Sequence, residues 1–127
     1  MRDEKALPLV YQQQYGEFQQ RLAEMSRSID PFDQNAPTLQ SEITKVQNFF
    51  REHILTLPMA ELTPSLQHWV QSYQVECDKQ LRLLGVDAMR LQAARQTATI
   101  EQRLQQVRDR LDTLQRYCTA VLEKREA

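Results

Sequence analysis

Cys77, Cys118, His53 and His68 have the widest chemical repertoire in this 127-residue sequence, so the search for activity starts with them. A cysteine acts as nucleophile or metal ligand only as the thiolate, which needs a neighbouring base, cation or metal to form. Cys118 has Arg116, Tyr117 and Thr119 beside it and no base. The two cysteines make no CxxC or zinc-ligand pattern, and each falls on an apolar stripe, where cysteine behaves as a small hydrophobe. Both are expected to be reduced core residues. His53 falls among Phe50, Ile54 and Leu57. That placement predicts a hydrogen-bonded or half-buried imidazole, because no second His, Cys or carboxylate stands at ligand spacing. His68 is predicted to lie on the surface. Helical bundles that hold two metal ions use inward carboxylates and Glu-x-x-His motifs, and this chain contains no Glu-x-x-His. Gly16 and Gly85, its only glycines, are too isolated to cradle a phosphate. No catalytic, cofactor-binding or metal-binding residue is assigned. The expectation is a protein that is not an enzyme, with no cofactor and no small-molecule substrate.

Arg90, Arg95, Arg103, Arg108, Arg110 and Arg116 raise the separate question of nucleic acid. Phosphate binding favours an uninterrupted basic face, and Glu101, Asp109 and Asp112 interrupt this one. The reading is therefore against nucleic acid. Net charge over the whole chain is −1, which supplies no strong pull toward nucleic acid or an anionic membrane. The charge is unevenly placed: residues 1–78 carry 6 Lys+Arg and 11 Asp+Glu, whereas residues 79–127 carry 10 and 6. Two halves of opposite sign suit each other as packing partners, and the basic half also suits an acidic protein partner.

The elements that carry these residues read as helices. A composition of 41% hydrophobic and 26% charged residues is that of a globular chain, and two glycines among many Gln, Leu, Arg and Ala favour helix over strand. Its length suits one domain, 1–127. The apolar run near the N-terminus is too short for a signal peptide, and nothing approaches the roughly 18 apolar residues of a membrane span. A cytoplasmic protein with no membrane association is expected.

Four stripes repeat at helical spacing. The first, Tyr11, Tyr15, Phe18, Leu22, Met25 and Ile29, starts near Pro8, crosses Gly16 without losing phase, and stops at Asp30-Pro31. Its Gln-rich flank, YQQQYGEFQQR, reads as a solvated face. After a loop over DPFDQNAP, Thr38 is predicted to cap a second helix. That helix carries Leu39, Ile43, Val46, Phe50, His53 and Leu57 and ends before Pro58. Thr63-Pro64 is a cap followed by a first-turn proline, and it opens a third helix with Leu66, Val70, Tyr73, Cys77, Leu81, Leu84, Ala88 and Leu91. Trp69 flanks that stripe, where it would seal the bundle end or, if exposed, mark an interface. The last stripe is Ile100, Leu104, Val107, Leu111, Leu114, Cys118 and Val121.

Two breaks between the third and fourth helices compete, with one continuous rod as a further alternative. A Schellman turn at Gly85, with Asp87 capping the next helix, leaves a final helix of about 40 residues against partners of about 20. A break at Gln96 to Thr99, with a Thr99/Gln102 capping box, gives helices of about 32 and 26 residues and is the preferred reading. Between Leu81 and Ile100 apolar residues surround the whole cylinder, as in a helix contacted on two sides. The fold predicted is all-α: an elongated antiparallel bundle of four helices. Its final stripe then finds its partner inside the chain, with a homodimer or larger homo-oligomer as the alternative.

The C-terminal part resembles a known family. QLRLL at Gln80–Leu84, AARQ-x-AT at Ala93–Thr99 and DRLDTLQRYCTAVL at Asp109–Leu122, preceded at a distance by NFFREHILTL, are similar to the cyanobacterial PatD-like family of heterocyst frequency control proteins. The likeness covers about half of the chain and hardly touches the first helix. It consists of helical packing residues, so no functional residue is carried over from it. The resemblance implies a small cytoplasmic regulator of cell division and heterocyst differentiation, with the tubulin-like division protein FtsZ as a partner. The alternative is a scaffold protein that forms a homo-oligomer.

Overall fold

The computed structural model describes residues 7–29 and 36–123. They form four α-helices, α1 (Leu9–Ser28), α2 (Ala36–Phe49), α3 (Pro64–Ala93) and α4 (Thr97–Leu122), with no strand among the described residues. A π-helical segment, Phe50–Ile54, continues α2, and one 3₁₀ turn, Met59–Glu61, leads toward α3. No helix among the described residues is long and apolar enough to cross a membrane.

The predicted stripes build the core. Tyr11, Tyr15, Phe18, Leu22 and Met25 of α1 are buried, as are Leu66, Val70, Cys77, Leu81, Leu84, Ala88 and Leu91 of α3. On α4, Leu104, Val107, Leu111, Leu114, Cys118 and Val121 are buried, while Ile100 is half-exposed. Removing this much apolar surface from water is the main force holding the helices together. α3 packs on α2 at one flank and α4 at the other, and α1 packs mainly on α4. Gln47 reaches the Leu81 carbonyl while Gln74 reaches that of Ile54, so α2 and α3 run antiparallel. Tyr73 meets Tyr117 while Asp87 meets Arg110, which makes α3 and α4 antiparallel as well.

The helix starts and stops follow local chemistry, with some corrections. Pro8 stands just outside α1, where its carbonyl accepts from the amides of Tyr11 (3.0 Å) and Gln12 (3.1 Å). Thr63 caps α3 as predicted, its hydroxyl accepting from the Leu66 amide at 3.2 Å, with Pro64 in the first turn. The break between α3 and α4 falls at residues 94–96, close to the preferred site. Gly85 and Asp87 lie inside α3, so neither the Gly85 turn nor the Asp87 cap forms. The Thr99/Gln102 box does not form either: α4 starts at Thr97, Gln96 is its cap residue, and no side chain caps it. α2 starts at Ala36, which places Thr38 inside its first turn and not at its cap. The predicted stop at Asp30-Pro31 and most of the following loop lie outside the described residues.

The largest departure is the π-helical segment. The Leu55 amide donates to the Phe50 carbonyl at 3.0 Å, five residues back, so an extra residue enters this turn. Regular α-helix therefore ends at Phe49, well short of Pro58. Ile54 turns into the core and His53, predicted to be hydrogen-bonded or half-buried, is exposed.

Glutamines tie the helices together. Gln19 donates to the Gln115 carbonyl (3.0 Å) and the Thr119 hydroxyl (2.6 Å) on α4, so the Gln-rich flank of α1 is only partly a solvated face. Gln67 donates to the Met59 carbonyl at 2.9 Å and anchors the 3₁₀ turn on α3. Such bonds contribute about 1 kcal/mol each and fix register where apolar packing alone is non-directional.

Candidate functional site

The bundle brings Tyr15, Cys77 and Cys118 into its interior, close enough for each thiol to raise the phenol's pKa. Both thiols are free and buried. Burial pushes Cys77 up to about 12, with nearby Glu76 adding to the shift. Burial also raises Cys118, and Cys77 adds to it. Tyr15 is raised by burial first, then by the two cysteines, against a smaller lowering from Gln74. A protonated thiol in an apolar core is a poor nucleophile, so the arrangement serves packing. No group of three or more His, Cys, Asp or Glu able to hold a metal ion occurs among the described residues.

His53 takes part in a surface arrangement instead. Its ring lies 4.7 Å from that of Phe49, and the Arg21 guanidinium of α1 sits 4.5 Å over the same phenyl ring. With Lys45, Asn48 and Glu52 they line an open groove of about 300 Å³ between α1 and the end of α2. Its cations already have partners: Arg21 pairs with Glu17 at 3.0 Å and Lys45 with Glu42 at 3.2 Å. The groove therefore offers an anion little uncompensated charge. His68, as predicted, is exposed. Trp69 is half-buried and edge-on to Tyr73 at 5.0 Å, which places it in the packing at the bundle end.

The arginines divide into committed and free groups. Arg110 crosses from α4 to the Asp87 carboxylate on α3 and also donates to the Gln80 side-chain carbonyl at 3.2 Å. Arg116 pairs with Asp112 one turn away at 3.1 Å. No ion pair among the described residues involves Arg90, Arg95, Arg103 or Arg108.

One surface combines an arginine of this unpaired group, Arg90, with bare apolar area. A rotation of about 100° per residue places Val75, Lys79, Arg82, Val86, Met89, Arg90 and Ala93 on a single face of α3, opposite Cys77, Leu84 and Ala88. Val75 is 65% exposed, Val86 40% and Met89 60%. As expected, this stretch is contacted on two sides, by α2 and by α4, and Val86 and Met89 lie on the face turned away from both. Isolated surface hydrophobes are ordinary, but Val86 and Met89 stand one turn apart on a face that also carries Val75 and the cations Lys79, Arg82 and Arg90, a combination of the kind that binds proteins.

Sequence reasoning missed both the Asp87–Arg110 pair and this outer face. The pair left a signal. Asp87 stands in phase with Leu84 and Leu91, and Arg110 with Val107 and Leu114, so an acid and a base each occupy a core position of neighbouring helices. Comparison with protein-family models, curated proteins and solved structures yields no match.

Proposed function

We propose that this protein is a non-enzymatic, cytoplasmic interaction module that modulates assembly of the division protein FtsZ and, in a heterocyst-forming cell, heterocyst frequency. The observation that carries the interaction reading is the outer face of α3, where Val75, Val86 and Met89 stay exposed on a helix whose other side is fully packed. Residues that could do chemistry support it too: the thiols are buried and the best-placed carboxylate, Asp87, is joined to Arg110. A rigid bundle with a preformed surface binds without a large ordering cost. The division partner rests on the resemblance of Gln80–Leu84, Ala93–Thr99 and Asp109–Leu122 to the PatD-like family.

Sedimentation of FtsZ with GTP, with and without the protein, tests this reading. A dose-dependent change in the pelleted fraction is expected. An unchanged fraction at saturating protein would remove FtsZ as the partner.

A further inference from the structure

We infer that the outer face of α3, from Val75 to Ala93, is a docking surface for an acidic amphipathic helix of a partner protein. The inference rests on the interaction-module reading above and adds where the partner binds and what chemistry it presents.

Three observations converge on it. Val75, Val86 and Met89 run along one side of α3 over about 21 Å, which matches roughly four turns of a second helix. Their exposure leaves apolar area that a helix laid along α3 would cover by the same side-chain packing that holds α2 and α4 in place. The surrounding charge is basic. Lys79 and Arg82 lie on this face between Val75 and Val86, Arg90 stands at its edge just past Met89, and Arg95 follows the end of the helix. Glu76 and Asp78 are engaged with Lys79 (3.4 Å) and Arg82 (3.3 Å), while Arg90 and Arg95 have no acidic partner among the described residues.

That charge pattern selects among occupants. A second copy of the chain would set this face against itself and bring Arg82 and Arg90 of each copy into the contact. Arg82 already has Asp78 and Lys79 has Glu76, so Arg90 is the cation that such a contact would leave uncompensated. An acidic helix with leucine-like residues on one side covers Val75, Val86 and Met89 and places carboxylates beside Arg90 and Arg95. Complementary charge of this kind also speeds encounter and makes binding salt-dependent. The groove at Arg21, Phe49 and His53 is the weaker site because its cations are already neutralised by Glu17 and Glu42.

The probe is a synthetic amphipathic helix with leucines on one face and flanking glutamates, compared with the same peptide carrying lysines in place of the glutamates. Both are titrated into the ¹⁵N-labelled full chain. The acidic peptide is expected to shift amides from Val75 to Ala93, to bind about tenfold more weakly to the Met89→Glu variant, and to weaken with added salt. No shift, shifts confined to another face, or equal binding of the lysine peptide would overturn the proposal. Concentration-dependent shifts of the same amides without peptide would overturn it in favour of a second copy. An effect on FtsZ pelleting that survives Met89→Glu would reject this surface while leaving the functional reading intact. Peptide binding without any FtsZ effect would keep the surface and reject that partner.

Discussion

Val86 and Asp87 are consecutive residues of α3 with inverted environments: the valine is 40% exposed and the carboxylate 1% exposed. One position along a helix turns a side chain by about 100°, which is enough to move it from solvent to the seam with α4. At the seam, Arg110 of α4 donates to both Asp87 and Gln80 of α3. At the outer face, no part of the described chain covers Val86 or Met89. The contrast separates two uses of one helix. A buried charge with one matching partner sets how α3 and α4 slide past each other, whereas an exposed apolar strip beside free arginines serves contact with another molecule.

Breaking the seam has the largest expected effect. Arg110→Met leaves the Asp87 carboxylate buried without a counter-charge and should destabilise the bundle by about 3–5 kcal/mol in chemical denaturation. The double variant Asp87→Leu/Arg110→Met should recover most of that loss, because replacing both partners removes the orphaned charge. If both variants lose the same stability, the pair acts by packing and the contrast with Val86 weakens.

The buried thiols extend the contrast to alkaline pH. Cys77 is raised from 9.0 to about 12 in the folded protein. Below pH 9 folded and unfolded chains both hold the proton, and its contribution to stability is fully present. As pH rises from 9 toward 12, the unfolded chain releases the proton and the folded chain retains it, so stability falls by about 1.4 kcal/mol per pH unit for such a group. Denaturation midpoints of the native protein should therefore drop steeply over that window. Those of Cys77→Ser, lower throughout, should drop less steeply.

The glycines provide a smaller comparison of the same kind. A methyl group added at Gly16 meets nothing within 4 Å, so Gly16→Ala should stabilise α1 by about 1 kcal/mol. At Gly85 the added carbon would stand 3.1 Å from Gln47 Nε2, the atom that bonds the Leu81 carbonyl at 2.9 Å. Gly85→Ala should therefore gain less than Gly16→Ala or lose stability, as thermal unfolding of the two variants will show. Least of all should change on the outer face: Met89→Glu is expected to stay within about 0.5 kcal/mol of the parent.

How much of this was legible in the sequence follows from what each feature depends on. The four stripes and the Thr63-Pro64 start depend on local spacing and a local cap, which the chain displays openly, whereas the break just before Thr97 forms without the Thr99/Gln102 box or any side-chain cap. Helix length helped at the last of these, because a break at Gly85 would have produced a rod that the first two helices could not cover. The π-helical turn after Phe49 depends on which of His53 and Ile54 the neighbouring helices accept, and both fit the same α-helical stripe on paper. Gly85 resembled a helix end because its actual role, admitting Gln47 from α2, is a tertiary contact. Asp87 was readable as an acid in a core phase, but only its pairing with Arg110 shows why it is tolerated there. The outer face of α3 became visible once the structure showed which side of an all-round apolar stretch the chain itself covers.

Co-sedimentation of FtsZ filaments with the native protein and with Val86→Glu/Met89→Glu, at matched folded concentration, tests the joint claim about function and surface most directly. The native protein should change the pelleted fraction, and the variant, folded by circular dichroism, should leave it at the FtsZ-alone value. Equal effects of the two proteins, or no effect of either, would contradict the account.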